Sequence, residues 1–243
     1  MANPALNSQI FENQSVISEN NIMTINGTML KSMFLLLLVV ASGAYSWSLY
    51  TSGNMPVVST LMMGGLIAGF VLAMIIIFAQ KTAPFLSPLY AVAEGLALGG
   101  ISAATDAQFS GIVFQAVVGT FAVMFTMLAL YMSKVICVTD KLRSVIIAST
   151  GAIAIVYLIS FILLFFGKSV PFINDATPIG IGFSVVVIII AAFNLLLDFD
   201  IIERGAASLA PKYFEWYCSF GLLVTLVWLY IEVLRLLSKL QRR

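Results

Sequence analysis

Seven long apolar runs separated by short polar breaks set the pattern of this chain. They cover residues 32–50, 60–79, 87–104, 111–132, 144–166, 178–197 (continuing toward 204) and 214–237. Each is near the ~20 residues that an α-helix needs to cross the hydrocarbon of a bilayer. None alternates apolar and polar positions in segments of about ten residues, so a transmembrane barrel is not predicted. The breaks carry turn chemistry: Ser52-Gly53-Asn54 with Pro56, then Pro84, Asp106, Asp140, Asp175 with Pro178, and Pro211. Pro171 and Pro178 bracket the fifth loop. The expected fold is an all-α bundle of seven transmembrane helices, a single domain over residues 31–243. Residues 1–30 are polar, rich in Asn and Ser, and hold Glu12 and Glu19 but no Lys or Arg. They lack the positive start and cleavable apolar stretch of a signal peptide and read as a largely disordered tail.

Composition agrees with the pattern. The chain is 61% hydrophobic and 9% charged, with a mean hydropathy of +1.06. Soluble domains carry roughly 25% charged residues, so charge this sparse cannot cover a water-facing surface. A net charge of +1 offers no clustered basic face for nucleic acid. Two cysteines, Cys137 and Cys218, imply no disulfide framework. Histidine is absent. That closes the zinc hydrolases, whose ligands include His, and Ser–His chemistry, which needs a His base. Neither an enzyme nor a cofactor is expected.

Lys and Arg near helix ends give the orientation. The side that holds the N-terminus collects Lys31, Lys81, Lys134, Lys141, Arg143, Arg204 and Lys212, whereas the opposite loops hold Lys168. The N-terminus is therefore expected in the cytoplasm. An odd number of spans puts Lys239, Arg242 and Arg243 on the far side, against the positive-inside rule. Either the last helix does not fully cross, or the earlier loops fix the topology and the tail follows; the second is the expectation, since early determinants usually dominate. Schiff-base chemistry of the retinal kind is not expected, since Lys239 lies at the very end of span seven.

Spans two and three carry close-packing spacings. Gly65 and Gly69 form a GxxxG pair, and Ala91, Gly95 and Gly99 repeat small residues every four positions. Such spacing lets helix backbones approach in lipid.

Acids inside the spans are the candidate chemistry, because a charge at the bilayer centre costs at least about 2.5–3.5 kcal/mol. Four qualify: Glu94 in span three, Asp198 and Asp200 at the end of span six, and Glu232 in span seven. Asp198 and Asp200 point to opposite helix faces. Asp198 shares a face with Asn194, whose amide is expected to donate to it. Asp200 precedes Arg204 by four residues in the favourable order and reads as a structural ion pair. Gly221, Thr225, Trp228, Glu232 and Arg235 form one stripe along span seven, expected to face the interior. The plain alternative for Glu232 is a local pair with Arg235.

The same residues carry a family resemblance. Asp198-Phe199-Asp200-Ile201-Ile202, followed by Leu229-Tyr230-Ile231-Glu232-Val233-Leu234-Arg235-Leu236-Leu237, resembles the signature of the Bax inhibitor-1 (transmembrane Bax inhibitor motif) family. Tyr90-Ala91-Val92-Ala93-Glu94-Gly95-Leu96-Ala97-Leu98 is similar to that family's third-helix segment. Asn3-Pro4-Ala5-Leu6 and Met23-Thr24-Ile25-Asn26-Gly27-Thr28 resemble a bacterial branch, which implies the inner membrane.

The resemblance implies a seven-helix bundle with the last helix central, and a pH-sensitive calcium leak. A pair of acids from helices six and seven would sense protons and meet Ca²⁺. These positions fall on Asp198 and Glu232, the second a Glu where the family carries Asp. An arginine near the end of helix two latches the closed state in the family. Here Lys81 is the nearest cation, a point charge rather than a fork, and Arg235 is a second latch candidate. Glu94 and Asn194 complete the expected ion- or proton-sensing set. Relatives are also linked to membrane-protein quality-control proteases, so a non-transporting regulator with such a protease partner is the alternative.

If the turn between spans six and seven is centred near Ala210, Glu232 lies about ten residues farther from it than Asp198, or ~15 Å at the helical rise. A contact would need residues 205–215 to form an interfacial helix or a protruding hairpin. In contact, the two carboxyls would share a proton and titrate as a pair, and losing that proton would open the helix pair and expose hard oxygen ligands suited to Ca²⁺.

Overall fold

The computed structural model describes residues 21–167, 173 and 175–242. Residues 1–20 of the expected tail, together with Lys168, Pro171 and Arg243, lie outside the described residues. Seven long helices follow one another: α1 Ile25–Thr51, α2 Met55–Phe78, α3 Ala83–Asp106, α4 Ile112–Met132, α5 Asp140–Phe165, α6 Pro178–Ala207 and α7 Tyr213–Gln241. All seven are long and apolar enough to cross a membrane. A short 3₁₀ turn, Gln80–Thr82, joins α2 to α3. The strand content of the described residues is one isolated antiparallel bridge, Ile22 to Pro211.

Local chemistry sets the helix ends. Thr24 caps α1, its hydroxyl accepting from the Gly27 N–H at 3.0 Å. Thr177 caps α6 in the same way through Gly180 at 3.2 Å. Such caps satisfy amides that the first turn leaves orphaned. Proline stands in the first turn of α2, α3 and α6, where its missing N–H costs nothing. Gly111 enters α4 at φ 80°, a conformation open to glycine, with its N–H on Asp106 Oδ1 at 3.0 Å.

The apolar pattern starts the first span at residue 32 and leaves residues 1–30 to the tail. The structure corrects that boundary, since α1 starts at Ile25. Residues 21–23 are docked as well: Met23 N–H donates to the Ala210 carbonyl at 2.8 Å, and Lys212 N–H to the Asn21 carbonyl at 2.9 Å. A polar, capped first turn projects past the hydrocarbon, so an apolar run understates its helix.

The α6–α7 connection is tight. Helix α6 ends at Ala207, and α7 begins at Tyr213. Ala210 N–H returns to the Gly205 carbonyl at 3.0 Å, and Leu209 sits at φ 55° in the left-handed region that commonly closes helices. The turn thus centres near Ala210, with neither an interfacial helix nor a long hairpin.

Two helices fill the centre of the bundle. Helix α7 packs against α1, α3, α4 and α6, as expected for a central last helix. Helix α3 is its equal, wedged between α1 and α2 and against α7. Small residues on α1, α2 and α3 make this possible. A Cβ added to Gly65 would stand 2.5 Å from the Ala93 carbonyl oxygen, and one on Gly99 would collide with the Gly43 backbone. Around this pair, Leu195, Leu196, Leu229 and Leu234 form the main core with α4, and Leu35, Ala91, Phe220 and Leu223 form a second core on the other side.

Candidate functional site

The intramembrane acids stand in separate surroundings. Asp198 lines a cavity of about 330 Å³ at the junction of α2, α3, α6 and α7, shared with Ala73, Tyr90, Cys218, Gly221 and Thr225. Its Oδ2 is buried and has no hydrogen-bond partner. Thr225 is its hydroxyl neighbour on α7. Across from it, a Cβ on Gly221 would stand 4.0 Å from Oδ1. Tyr90 forms a wall with its ring edge-on to Phe220, centroids 4.9 Å apart.

Glu232 is 1% exposed and sits elsewhere. Its Oε1 accepts from the Tyr157 hydroxyl of α5 at 2.6 Å and from Arg235 Nη1 at 2.8 Å. Arg235 also donates to the Tyr157 hydroxyl at 2.8 Å and lies over its ring. Glu232 Oε2 is buried without a partner. The local pair with Arg235 is therefore present, extended by a tyrosine that the sequence did not flag.

The structure does not bring Asp198 and Glu232 together. The tight turn fixes the register, setting Asp198 opposite Gly221 and Thr225. Glu232 lies seven residues beyond Thr225, about 10 Å along the helix. The pair as drawn is not one Ca²⁺ site, and no cluster of three or more His, Cys, Asp or Glu able to hold a metal occurs among the described residues.

Asn194 is a further correction. Its amide donates to Thr150 Oγ1 of α5 at 2.8 Å and to the Ile190 carbonyl at 2.9 Å, not to Asp198. Helix side chains lean toward the N-terminus, so Asn194 reaches back to Ile190 rather than forward to Asp198. Glu94 is buried in α3 against α2, where a Cβ on Gly69 would stand 2.8 Å from its Oε2. Tyr90, one turn from Glu94, lines the Asp198 cavity. Lys81 is exposed in the 3₁₀ turn and makes no ion pair among the described residues, so neither it nor Arg235 reaches Asp198 as a latch.

Asp200 is structural, as its spacing implied. Arg204 Nε lies 2.9 Å from its Oδ2, and Arg143 of α5 closes on the same oxygen.

Two buried charges escaped the sequence reading. Glu215 is 0% exposed and accepts from Thr24 N–H at 2.8 Å, from the Thr24 hydroxyl at 3.0 Å, and from Lys212 and Lys31. The signal available was its place in the first turn of α7, where an acid suits the helix dipole. Lys239, read as lying at the span's end, is 2% exposed. Its ammonium donates to the Gly180 carbonyl and to Ser184 Oγ of α6, both at 2.9 Å. Nothing in the pattern of span seven marks it, because its partners come from the start of α6.

A larger cavity than this chamber holds none of these acids. It measures about 570 Å³, lies between α1, α3, α4 and α7, and is walled by Val39, Leu98, Val117 and Leu226, with Tyr230 bonded to Ser102 at 2.6 Å. The acid-lined chamber around Asp198 is thus the candidate site.

A family model described as Bax inhibitor 1 like matches residues 3–242. No curated protein and no solved structure matches the chain. Since that match covers nearly its whole length, and the seven helices and the α6 and α7 acids have the arrangement just described, the chain belongs to the Bax inhibitor 1 like family.

Proposed function

We propose that this multi-pass membrane protein is a pH-responsive calcium leak pathway of the bacterial inner membrane, with its N-terminus in the cytoplasm. One observation supports this above the rest: the Asp198 oxygen buried without a partner in a chamber of about 330 Å³. Among the described residues, Thr225 is the one hydroxyl set against this carboxyl, Oδ2 of the ionised group is left without a protein donor, and Tyr90 lines the same chamber. Such hard oxygen groups suit Ca²⁺. Protonation removes the charge and the reason for a cation to enter.

The register revises how gating would work. Asp198 lies nine residues from the end of α6 and Glu232 nine residues from the end of α7, each about 14 Å from that end of its own helix. Two single carboxyls at two depths replace one shared-proton pair. Asp198 is the cation-attracting group, and Glu232, held by Tyr157 and Arg235, ties α7 to α5 on the far side.

Calcium flux into proteoliposomes across a pH series tests the reading. Flux rises with pH, since the ionised acid is the attracting form, and Asp198→Asn gives low flux that no longer depends on pH. Unchanged pH dependence in that variant defeats the reading. A wild-type chain that passes no Ca²⁺ at any pH leaves the interaction-protein alternative.

A further inference from the structure

A pocket of about 330 Å³ opens between the first turns of α1 and α7, away from the acid chamber. Its polar wall is Lys31, Lys212 and Glu215, and its apolar wall is Leu30, Phe34 and Trp216. Phe34 and Trp216 meet edge to face at 6.1 Å, and Lys31 stands 5.5 Å from the Trp216 ring centre.

Charge in this pocket is unbalanced. Two ammonium groups face one carboxylate. The Glu215 oxygens are fully engaged by Thr24, Lys31 and Lys212. Each ammonium has three donors and spends one on Glu215. No other acid pairs with either lysine among the described residues. The lysine side chains keep 18% and 43% of their exposure, so their remaining N–H groups reach solvent. The α7 N-terminus, with no side-chain cap, adds positive potential at the same place.

Depth says what meets this charge. Helix α1 is 27 residues, about 40 Å, against about 30 Å of hydrocarbon, so each end rises some 5 Å into the headgroup layer. Lys31 is its seventh residue and Trp216 the fourth of α7, which puts both at the boundary of headgroup and acyl chain. Beside them Leu30 is 69% exposed and Phe34 46%, on the side open to lipid.

We propose that this pocket binds the headgroup of an anionic phospholipid, its phosphate on Lys31 and Lys212 and the start of an acyl chain along Leu30, Phe34 and Trp216. The volume, roughly ten times the ~30 Å³ share of one water, suits a headgroup phosphate with its glycerol better than a lone ion. Basic pockets between transmembrane helices recognise such lipids by charge. Glu215 holds both lysines in place and keeps the net charge at a single positive unit, which favours a singly charged phosphodiester.

The test is native mass spectrometry of the full chain in detergent, with phosphatidylglycerol and phosphatidylcholine in competition. The wild-type protein is expected to prefer phosphatidylglycerol at least fivefold. Lys212→Gln, which leaves the Lys31–Glu215 pair intact, is expected to bring the preference below twofold, and Lys31→Gln likewise. The exposed Lys141→Gln serves as control and keeps the preference. Should Lys31→Gln fail to fold, Lys212→Gln decides alone. A preference that survives Lys212→Gln overturns the proposal. So does a preference abolished by millimolar inorganic phosphate, because the site would then take a free anion rather than a lipid.

Discussion

Asp198 and Asp200 are two residues apart and opposite in surroundings. Two arginines close on Asp200, while Asp198 keeps a buried oxygen unanswered. Their isosteric amides should therefore behave differently. Asp200→Asn removes the charge that holds Arg143 and Arg204, both partly exposed, and is expected to cost about 1–2 kcal/mol after allowing for solvent screening. Asp198→Asn gives up no ion pair and removes a buried charge that no cation answers, so stability at neutral pH is expected to hold or rise. Denaturant unfolding in one detergent, followed by circular dichroism, compares the two. Equal losses would mean that Asp198 is as structural as its neighbour. At this scale the sequence was legible where the partner lay within one turn, as for Asp200 with Arg204 and Glu232 with Arg235. It was silent where the partner came from another helix. Tyr157, Thr150, Ser184 and Thr24 each complete a cluster across long separations, and no spacing rule finds them.

At the scale of elements, the apolar runs showed how many helices to expect and nearly where. Hydropathy does not say which helix is inside, because a lipid-facing Leu and a core Leu look alike in a sequence. Small residues carried that information. Gly65, Ala91, Gly95 and Gly99 placed the close contacts on spans two and three, and α3 proved to be a second central helix. Adjacent glycines in α2 make a sharp test. A Cβ on Gly65 would press on the Ala93 carbonyl, whereas one on Gly64 meets nothing within 4 Å. Gly65→Ala is expected to cost about 1–3 kcal/mol through overpacking against backbone. Gly64→Ala should be neutral or gain up to about 1 kcal/mol from helix propensity. Thermal unfolding of both variants in the same micelles separates them. The turn between α6 and α7 was the least legible element. Residues 205–215 could have been written as an extra interfacial helix, and only the docked pairing of Ile22 with Pro211 and the Ala210 return bond show the tight form.

On the scale of the whole molecule, seven crossings put the two ends of the chain on opposite faces. Lys31, Arg143, Arg204 and Lys212 cluster toward the face where α1 begins, joined there to Asp200 and Glu215. The cationic end of α7 is the apparent exception to the positive-inside rule. The structure softens it, since the Lys239 ammonium is buried against α6 rather than presented to a headgroup layer. Reporter fusions should place the N-terminus in the cytoplasm and the C-terminus outside. A cytoplasmic signal from both ends would mean that α7 does not cross.

The burial of Lys239 bears on how the chain can be altered. Ends of domains ordinarily tolerate trimming and fusion because few contacts hold them. Here the last turn of α7 closes the far end of the bundle by holding the carbonyl of Gly180 and the hydroxyl of Ser184. A cut before Lys239 removes five residues and also unfastens the start of α6, some sixty residues upstream in the chain. The safe place to attach anything at that end is beyond Arg242, after the helix has finished its work.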